Sequence, residues 1–283
     1  MEKIKIFKIW KNLWLETNKI EKILQKITNK TKSQLFLLDK IEDSYLEAIK
    51  KSFDKLVAWE PIEYIINNAE FYSLDFYVNS SVLIPRNDTE IIIDKAIETI
   101  IKYGWVSLID VWTWSSCIPI SILKNSNKII SCYAIDISKK ALEVSKINIK
   151  KHWLENKIIQ INSDLLDCFF WKNDFILNKN VIITANLPYI KNEDFENMDK
   201  ETIKYEPALA LFWWKKTWFE LYEKLIKECV KLKDKYSIKT LILFIEIWFN
   251  QKEYSNKYLF NLWLEHYYYK DNWWIQRCIK IVI

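Results

Sequence analysis

Apolar residues recur at helical spacing through the first quarter of the chain. Ile4, Ile6, Ile9 and Leu13 form one such series, and Ile20, Ile23, Leu24 and Ile27 form another. The run DSYLEAIKKSFDKLVAW offers Asp43 and Ser44 as caps and sets Leu46, Ile49, Phe53 and Leu56 on one face. These segments predict a small helical unit over residues 1–68. The period then changes. In EFYSLDFYVNSSVLI, Phe71, Phe76 and Val78 are separated by a Ser-Leu-Asp turn, which predicts a hairpin linker over 69–85.

From residue 86 to 283 helical and strand patterns alternate. A helix from about Asp88 to Tyr103 precedes the strand VSLIDV. A short helix near Ile118–Leu123, the strand IISCYAID and the helix SKKALEVSKINIKKH follow. The strands KIIQIN and VIITAN, a helix around Trp218–Lys233 and the strand TLILFIEI continue the series. Nearly continuous apolar strands separated by helices predict an α/β fold with a parallel sheet covered on both faces. At the end, LEHYYYKD and RCIKIVI lie close enough to form an antiparallel pair. A parallel sheet closed by an antiparallel strand is the arrangement of a Rossmann-like methyltransferase domain, here preceded by the small helical unit.

Composition adds an anomaly. The chain has one glycine and fifteen tryptophans, whereas glycine ordinarily makes up about 7% of residues and serves the left-handed turns that α/β folds need. Together the two counts approach a normal glycine quota. Trp112 and Trp114 fall between a strand and a helix, Trp213 and Trp214 form a pair beside lysine, and Trp153 follows a helix. These are glycine positions by pattern. Some bacterial lineages read UGA as glycine, so the expectation is that many of these tryptophans are glycine in the protein as made. A truly tryptophan-rich chain is the alternative.

Other features exclude more than they specify. The formal charge of +5 is mildly basic and spread along the chain, which gives a weak preference for an acidic or ribonucleoprotein partner. No apolar run approaches the roughly 20 residues of a membrane span, and the charged start lacks a signal-peptide core. Five dispersed cysteines, without a CxxC pair, read as reduced thiols of a cytoplasmic protein. Two histidines and no Cys/His/carboxylate cluster imply no metal site.

The candidate chemistry sits after the strands. VSLID runs into VWTWSSC and a helix; with glycine at 112 and 114 this becomes a tight loop whose N–H groups a ligand can approach. Trp112, Thr113, Trp114, Ser115 and Ser116 make up that loop. Asp136 closes the next strand, where a carboxylate can accept from ribose hydroxyls or simply cap the helix at Ile137–Ser138. Asp164 follows the third strand, near an adenine's place. The fourth strand ends in Asn186, Leu187, Pro188 and Tyr189. An Asn carbonyl and a backbone carbonyl can hold an amide or amine NH2 for in-line attack on a methyl group, and Tyr189 can pack on a planar target.

These residues resemble the release factor N5-glutamine methyltransferase family over nearly the whole chain. The likeness rests on AWEPIEYI, on LIPRNDTE (the family's L-I-P-R-x-x-T-E), and on DVWTWSSC, YAIDIS, NSDLL and ANLPYI in order. YEPALALFWWKKTWFELYEKLI, LILFIEIWFNQ and DNWWIQR also match, with Trp standing in most of these where the family has Gly. The resemblance implies S-adenosylmethionine as cofactor, bound by residues 112–116, Asp136, Leu165 and Asn186. It implies release factors as partners, held with help from residues 1–68, and a substrate glutamine met by Asn186, Leu187, Pro188 and Tyr189. Catalysis would rest on Asn186, Pro188 and Tyr189; a monomer without stable nucleic-acid binding is the default expectation. Three positions depart from the family: Leu187 replaces the first proline of Asn-Pro-Pro-Tyr, at the expense of loop rigidity; Ser116 replaces the third glycine of the loop, which would loosen helix packing or shift the backbone; and Leu165 stands where some members have an aromatic residue.

Two other readings stay open. Asn-Leu-Pro-Tyr also occurs in methyltransferases acting on adenine N6 of rRNA, although those resemble a catalytic domain followed, not preceded, by a helical substrate module; an enzyme acting on adenine N6 of DNA would need a target-recognition region, and no segment reads as long enough to be one. If the tryptophans are literal, a plugged pocket would leave a non-catalytic binding protein.

Overall fold

The computed structural model describes residues 16–172, 174–188, 204–207, 219–248 and 250–283. Ile4, Ile6, Ile9, Leu13, Tyr189, Trp213, Trp214 and Trp218 lie outside the described residues. The chain forms two compact units, residues 1–68 with 198–205, and residues 69–197 with 206–283.

In the first unit the described elements are α1 (Thr17–Thr28), α2 (Lys32–Phe36), α3 (Leu46–Val57) and α4 (Ile62–Ile66). The helical stripes meet: Ile20, Ile23 and Leu24 of α1 pack with Leu35, Ile41, Ile49, Phe53, Leu56 and Ile62. Thr31 and Gln34 close a capping box at α2. Asp43 and Ser44 do not cap α3. They belong to a single tight turn, Asp43–Tyr45, that leads into the helix, and no side chain caps α3 at Tyr45.

The second unit opens with the hairpin β1 (Ala69–Phe71) and β2 (Leu74–Phe76). Its turn is Tyr72-Ser73, both at positive φ, and not Ser-Leu-Asp; two consecutive left-handed residues suit the right-handed twist of a two-residue hairpin. Phe71 and Phe76 are buried in the core beside Ile92, Ile93 and Ile118. There follow α5 (Glu90–Tyr103), β3 (Val106–Val111), α6 (Cys117–Asn125), β4 (Ile129–Asp136), α7 (Lys139–Lys151), β5 (Ile158–Asn162), α8 (Cys168–Trp171), β6 (Asn180–Ala185), α9 (Glu220–Lys235), β7 (Thr240–Glu246), α10 (Lys252–Asn261), β8 (Glu265–Lys270) and β9 (Gln276–Val282). The seven strands run in the order β5-β4-β3-β6-β7-β9-β8. The first five are parallel, and β9 is antiparallel to both β7 and β8. All six residues of β3 are buried. Strand order reverses direction between β3 and β6, and the crevice outside the carboxyl ends of such strands is where this architecture takes ligands. Among the described residues no helix is long and apolar enough to cross a membrane.

The helix ends expose the tryptophan anomaly. Among the described residues thirteen that are not glycine have positive φ, and six of them are Trp59, Trp112, Trp114, Trp153, Trp263 and Trp274. Helices α3, α7 and α10 each end with a six-to-one backbone bond: Glu60 N to Lys55 O, Leu154 N to Ile149 O, and Leu264 N to Leu259 O. In each, the residue before the donor is the left-handed one, Trp59, Trp153 or Trp263. Glycine is favoured there because no Cβ meets the preceding carbonyl. Trp274 is the same case in the β8–β9 turn, where its N–H bonds Asp271 O. Trp59, Trp153, Trp263 and Trp274 also leave their rings two-thirds or more exposed, so burial does little to offset the strain. Trp105, Trp171, Trp248 and Trp273 sit at ordinary φ, where the backbone does not ask for glycine.

Trp153→Gly is therefore expected to be more stable than Trp153→Ala by about 1 kcal/mol, since alanine keeps the left-handed penalty. Trp263→Gly and Trp263→Ala should rank the same way in urea unfolding midpoints; equal midpoints at both sites would contradict the assignment.

Candidate active site

The ends of four strands, β3, β4, β6 and β7, and the turn Asn87–Thr89 are joined here by hydrogen bonds. From β3 the chain passes through Trp112, Trp114 and Ser116, all left-handed, before α6 begins at Cys117. Alternating left-handed residues turn the chain tightly: Thr113 N donates to Ile135 O at 2.9 Å and Ser116 N to Thr113 O at 2.7 Å. The loop is pinned on several sides. Thr113 Oγ1 donates to Asp110 Oδ2 at 2.6 Å, and Thr184 Oγ1 of β6 donates to Asp110 Oδ1 at 2.6 Å. From α7, Asn148 Nδ2 donates to Ser115 O at 3.0 Å, and Ser145 Oγ meets Ser116 Oγ at 2.5 Å. Ser116 thus adopts the left-handed conformation of the glycine it replaces, and its hydroxyl ties the loop to α7 where looser packing was expected.

Asp136, at the end of β4, is buried. One oxygen accepts from Trp114 N at 2.9 Å and the other from Ser138 N at 2.8 Å. The cap of α7 is Ser138 itself, whose Oγ accepts from Ala141 N. Burial pushes the Asp136 carboxyl up to about 6, against the N–H bonds that hold it down. Asp110, deeper, is pushed up to about 7 by burial, its two hydroxyl donors opposing. Leu165, after β5, is buried and left-handed. Its neighbours are fixed from α9: Glu228 Oε2 accepts from Leu166 N at 2.9 Å, and Lys224 Nζ pairs with Asp164 at 2.7 Å.

Asn186 follows β6 and is buried, as are Leu187 and Pro188. The proline-to-leucine departure leaves an N–H that proline would lack. Leu187 N donates to Tyr222 Oη at 3.2 Å, and Tyr222 donates in turn to Glu246 O at 2.5 Å. Burial, reinforced by nearby Glu246, pushes the Tyr222 phenol far above its ordinary value, so it keeps its proton. A hydrogen bond thus restrains the loop where the ring is missing. Thr89, Glu246 and Tyr222 had no assigned role in the sequence, although all three lie inside segments that match the family.

The crevice also shows what fits it. The tight left-handed backbone and the Asp136 carboxylate suit a nucleoside-bearing cofactor. The two indoles do not: Trp112 and Trp114 are buried with ring centroids 6.1 Å apart. The Trp114 ring reaches across to within 3.3 Å of Asn186 O, filling the gap between the loop and the Asn186-Leu187-Pro188 segment.

No family model matches the chain. Among characterised proteins it is 35% identical over 250 residues to the release factor glutamine methyltransferase of Mycoplasma mycoides, covering 86% of this chain and 80% of that one. It is 36% identical over 200 residues to the namesake from Dictyoglomus turgidum, covering 70% and 67%. The chain belongs to the release factor glutamine methyltransferase family. Enzymes of this family use S-adenosylmethionine. The fold alone is shared with the hMettl16 catalytic domain solved with a MAT2A 3′UTR hairpin, at 11% identity and a TM-score of 0.54 over 85% of this chain and 82% of that one.

Isothermal titration of S-adenosylmethionine checks the fit. The chain with Trp112→Gly and Trp114→Gly is expected to bind, and the chain carrying both indoles is expected not to. Equal binding by the two would contradict the account of the crevice.

Proposed function

We propose that this protein carries a methyl group from S-adenosylmethionine to the side-chain amide nitrogen of the glutamine in the Gly-Gly-Gln loop of a bacterial peptide chain release factor. Its working form carries glycine at 112 and 114. The observation that carries this reading is the convergence of the β3 loop and the Asn186-Leu187-Pro188 segment on one crevice, in a chain of this family. The helical residues 1–68 serve as the part that holds the factor, and the enzyme acts as a cytoplasmic monomer.

The bound cofactor supplies an electrophilic methyl group; the protein supplies position. Residues 112–116 and Leu165 line the nucleoside, and Asp136 accepts from the ribose hydroxyls. An amide nitrogen is a weak nucleophile because its lone pair is delocalised into the carbonyl. Asn186 Oδ1 and a backbone carbonyl of the Asn186–Tyr189 segment accept from the target NH2, which fixes the nitrogen and favours the charge that develops on it. That nitrogen would take the methyl group from the sulfur of the bound cofactor, and one N–H proton of the amide would leave to solvent. Tyr189, outside the described residues, packs on the planar target.

The test mixes the glycine-bearing protein with labelled S-adenosylmethionine and either intact release factor or one whose Gly-Gly-Gln glutamine is alanine. Label is expected on the intact factor alone, and Asn186→Ala should lower kcat by about 10²–10³-fold. Label on rRNA instead would overturn the reading in favour of an adenine-directed enzyme. A second measurement follows from Asp136. Its carboxylate must be charged to accept from two hydroxyls, so cofactor affinity should hold above pH 6 and weaken as pH falls through about 6. An affinity flat from pH 5 to pH 8 would remove Asp136 from that role.

A further inference from the structure

Asn186 can serve the target amide only if its oxygen, not its nitrogen, faces the substrate, and the two ends of a side-chain amide are close to the same size. Two buried groups outside the cofactor loop decide which way it points. Thr89, on the turn Asn87–Thr89 before α5, is 3% exposed, and Glu246, at the end of β7, is 1% exposed. Thr89 Oγ1 donates to Glu246 Oε2 at 2.5 Å. Asn186 Nδ2 donates to the same oxygen at 2.9 Å and approaches Thr89 Oγ1 at 3.3 Å. A hydroxyl has one hydrogen. Thr89 commits that hydrogen to Glu246, so toward Asn186 it can only accept. Both partners therefore call for a donor. Turning the amide over would set Oδ1 against a buried carboxylate oxygen and strand the NH2 group.

We infer that Glu246 and Thr89 are positioning residues for the methyl transfer: together they fix the Asn186 amide with its nitrogen inward and its oxygen presented to the target. Glu246 does so twice over, since its own carbonyl oxygen takes the Tyr222 hydroxyl that restrains Leu187. One residue thus sets both the side chain of Asn186 and the backbone that follows it. The inference rests on Asn186 acting as proposed above.

The test uses the full chain with glycine at 112 and 114. In Glu246→Gln, the new NH2 group can face Asn186 and let its amide turn over. Turnover on release factor should fall about 10–100-fold, as when an outer partner of a working ligand is lost, with cofactor affinity, KM for the factor and melting temperature unchanged. Thr89→Val should lower kcat in the same way, and Thr89→Ser, which keeps the hydroxyl, should restore it. Independently of catalysis, the Asn186 side-chain NH2 protons should exchange slowly in the parent and fast in Glu246→Gln by NMR. Parent-like turnover in Glu246→Gln, or a fall in kcat matched by lost cofactor binding and lost stability in both variants, would overturn the inference. So would rapid NH2 exchange in the parent. A parent that methylates no release factor, yet shows slow exchange released by Glu246→Gln, would instead sink the proposed substrate and leave the positioning intact.

Discussion

The chain leaving β3 must turn through left-handed backbone at 112, 114 and 116 to enter α6, and the rest of the site depends on that turn. It brings Trp114 N to Asp136 and sets Ser115 and Ser116 against α7. Only a residue without Cβ makes such a turn unstrained while letting a ligand approach the backbone. Two indoles satisfy neither condition, which ties the chemistry of this protein to the identity of two residues.

Magnitudes separate a literal reading of the tryptophans from the alternative. A left-handed conformation costs an ordinary residue about 1–2 kcal/mol, so six such tryptophans would give up about 6–12 kcal/mol. A whole domain is stable by only about 5–15 kcal/mol. Four of the six rings are largely exposed and gain little in return; the other two close the crevice. Glycine removes the strain and opens the site with one change of meaning, and the ordinary backbone of Trp105, Trp171, Trp248 and Trp273 shows that the anomaly is selective.

Much of the architecture was legible because the central parallel strands β3, β6 and β7 are almost wholly buried and read as nearly continuous apolar runs; VSLIDV and IISCYAID match β3 and β4 residue for residue. Helix α10 was not legible: it buries only Ser255 and Leu259 and carries no apolar stripe. The hairpin turn was misplaced because Tyr72 and Ser73 are unusual residues for two consecutive left-handed positions. In the site, the loop and Asp136 follow their strands directly and could be found by local pattern. The Thr89–Asn186–Glu246 cluster joins residues 60 to 157 positions apart. No local spacing reports such a contact; it exists only once β6, β7 and the turn before α5 are packed together.

The most direct test of the central claim is the mass of the peptides spanning residues 106–124 in the protein purified from its own host. The account predicts glycine at positions 112 and 114, as a codon read differently in that host would give. Tryptophan at both positions would leave the crevice filled and contradict the reading of this protein as a working methyltransferase.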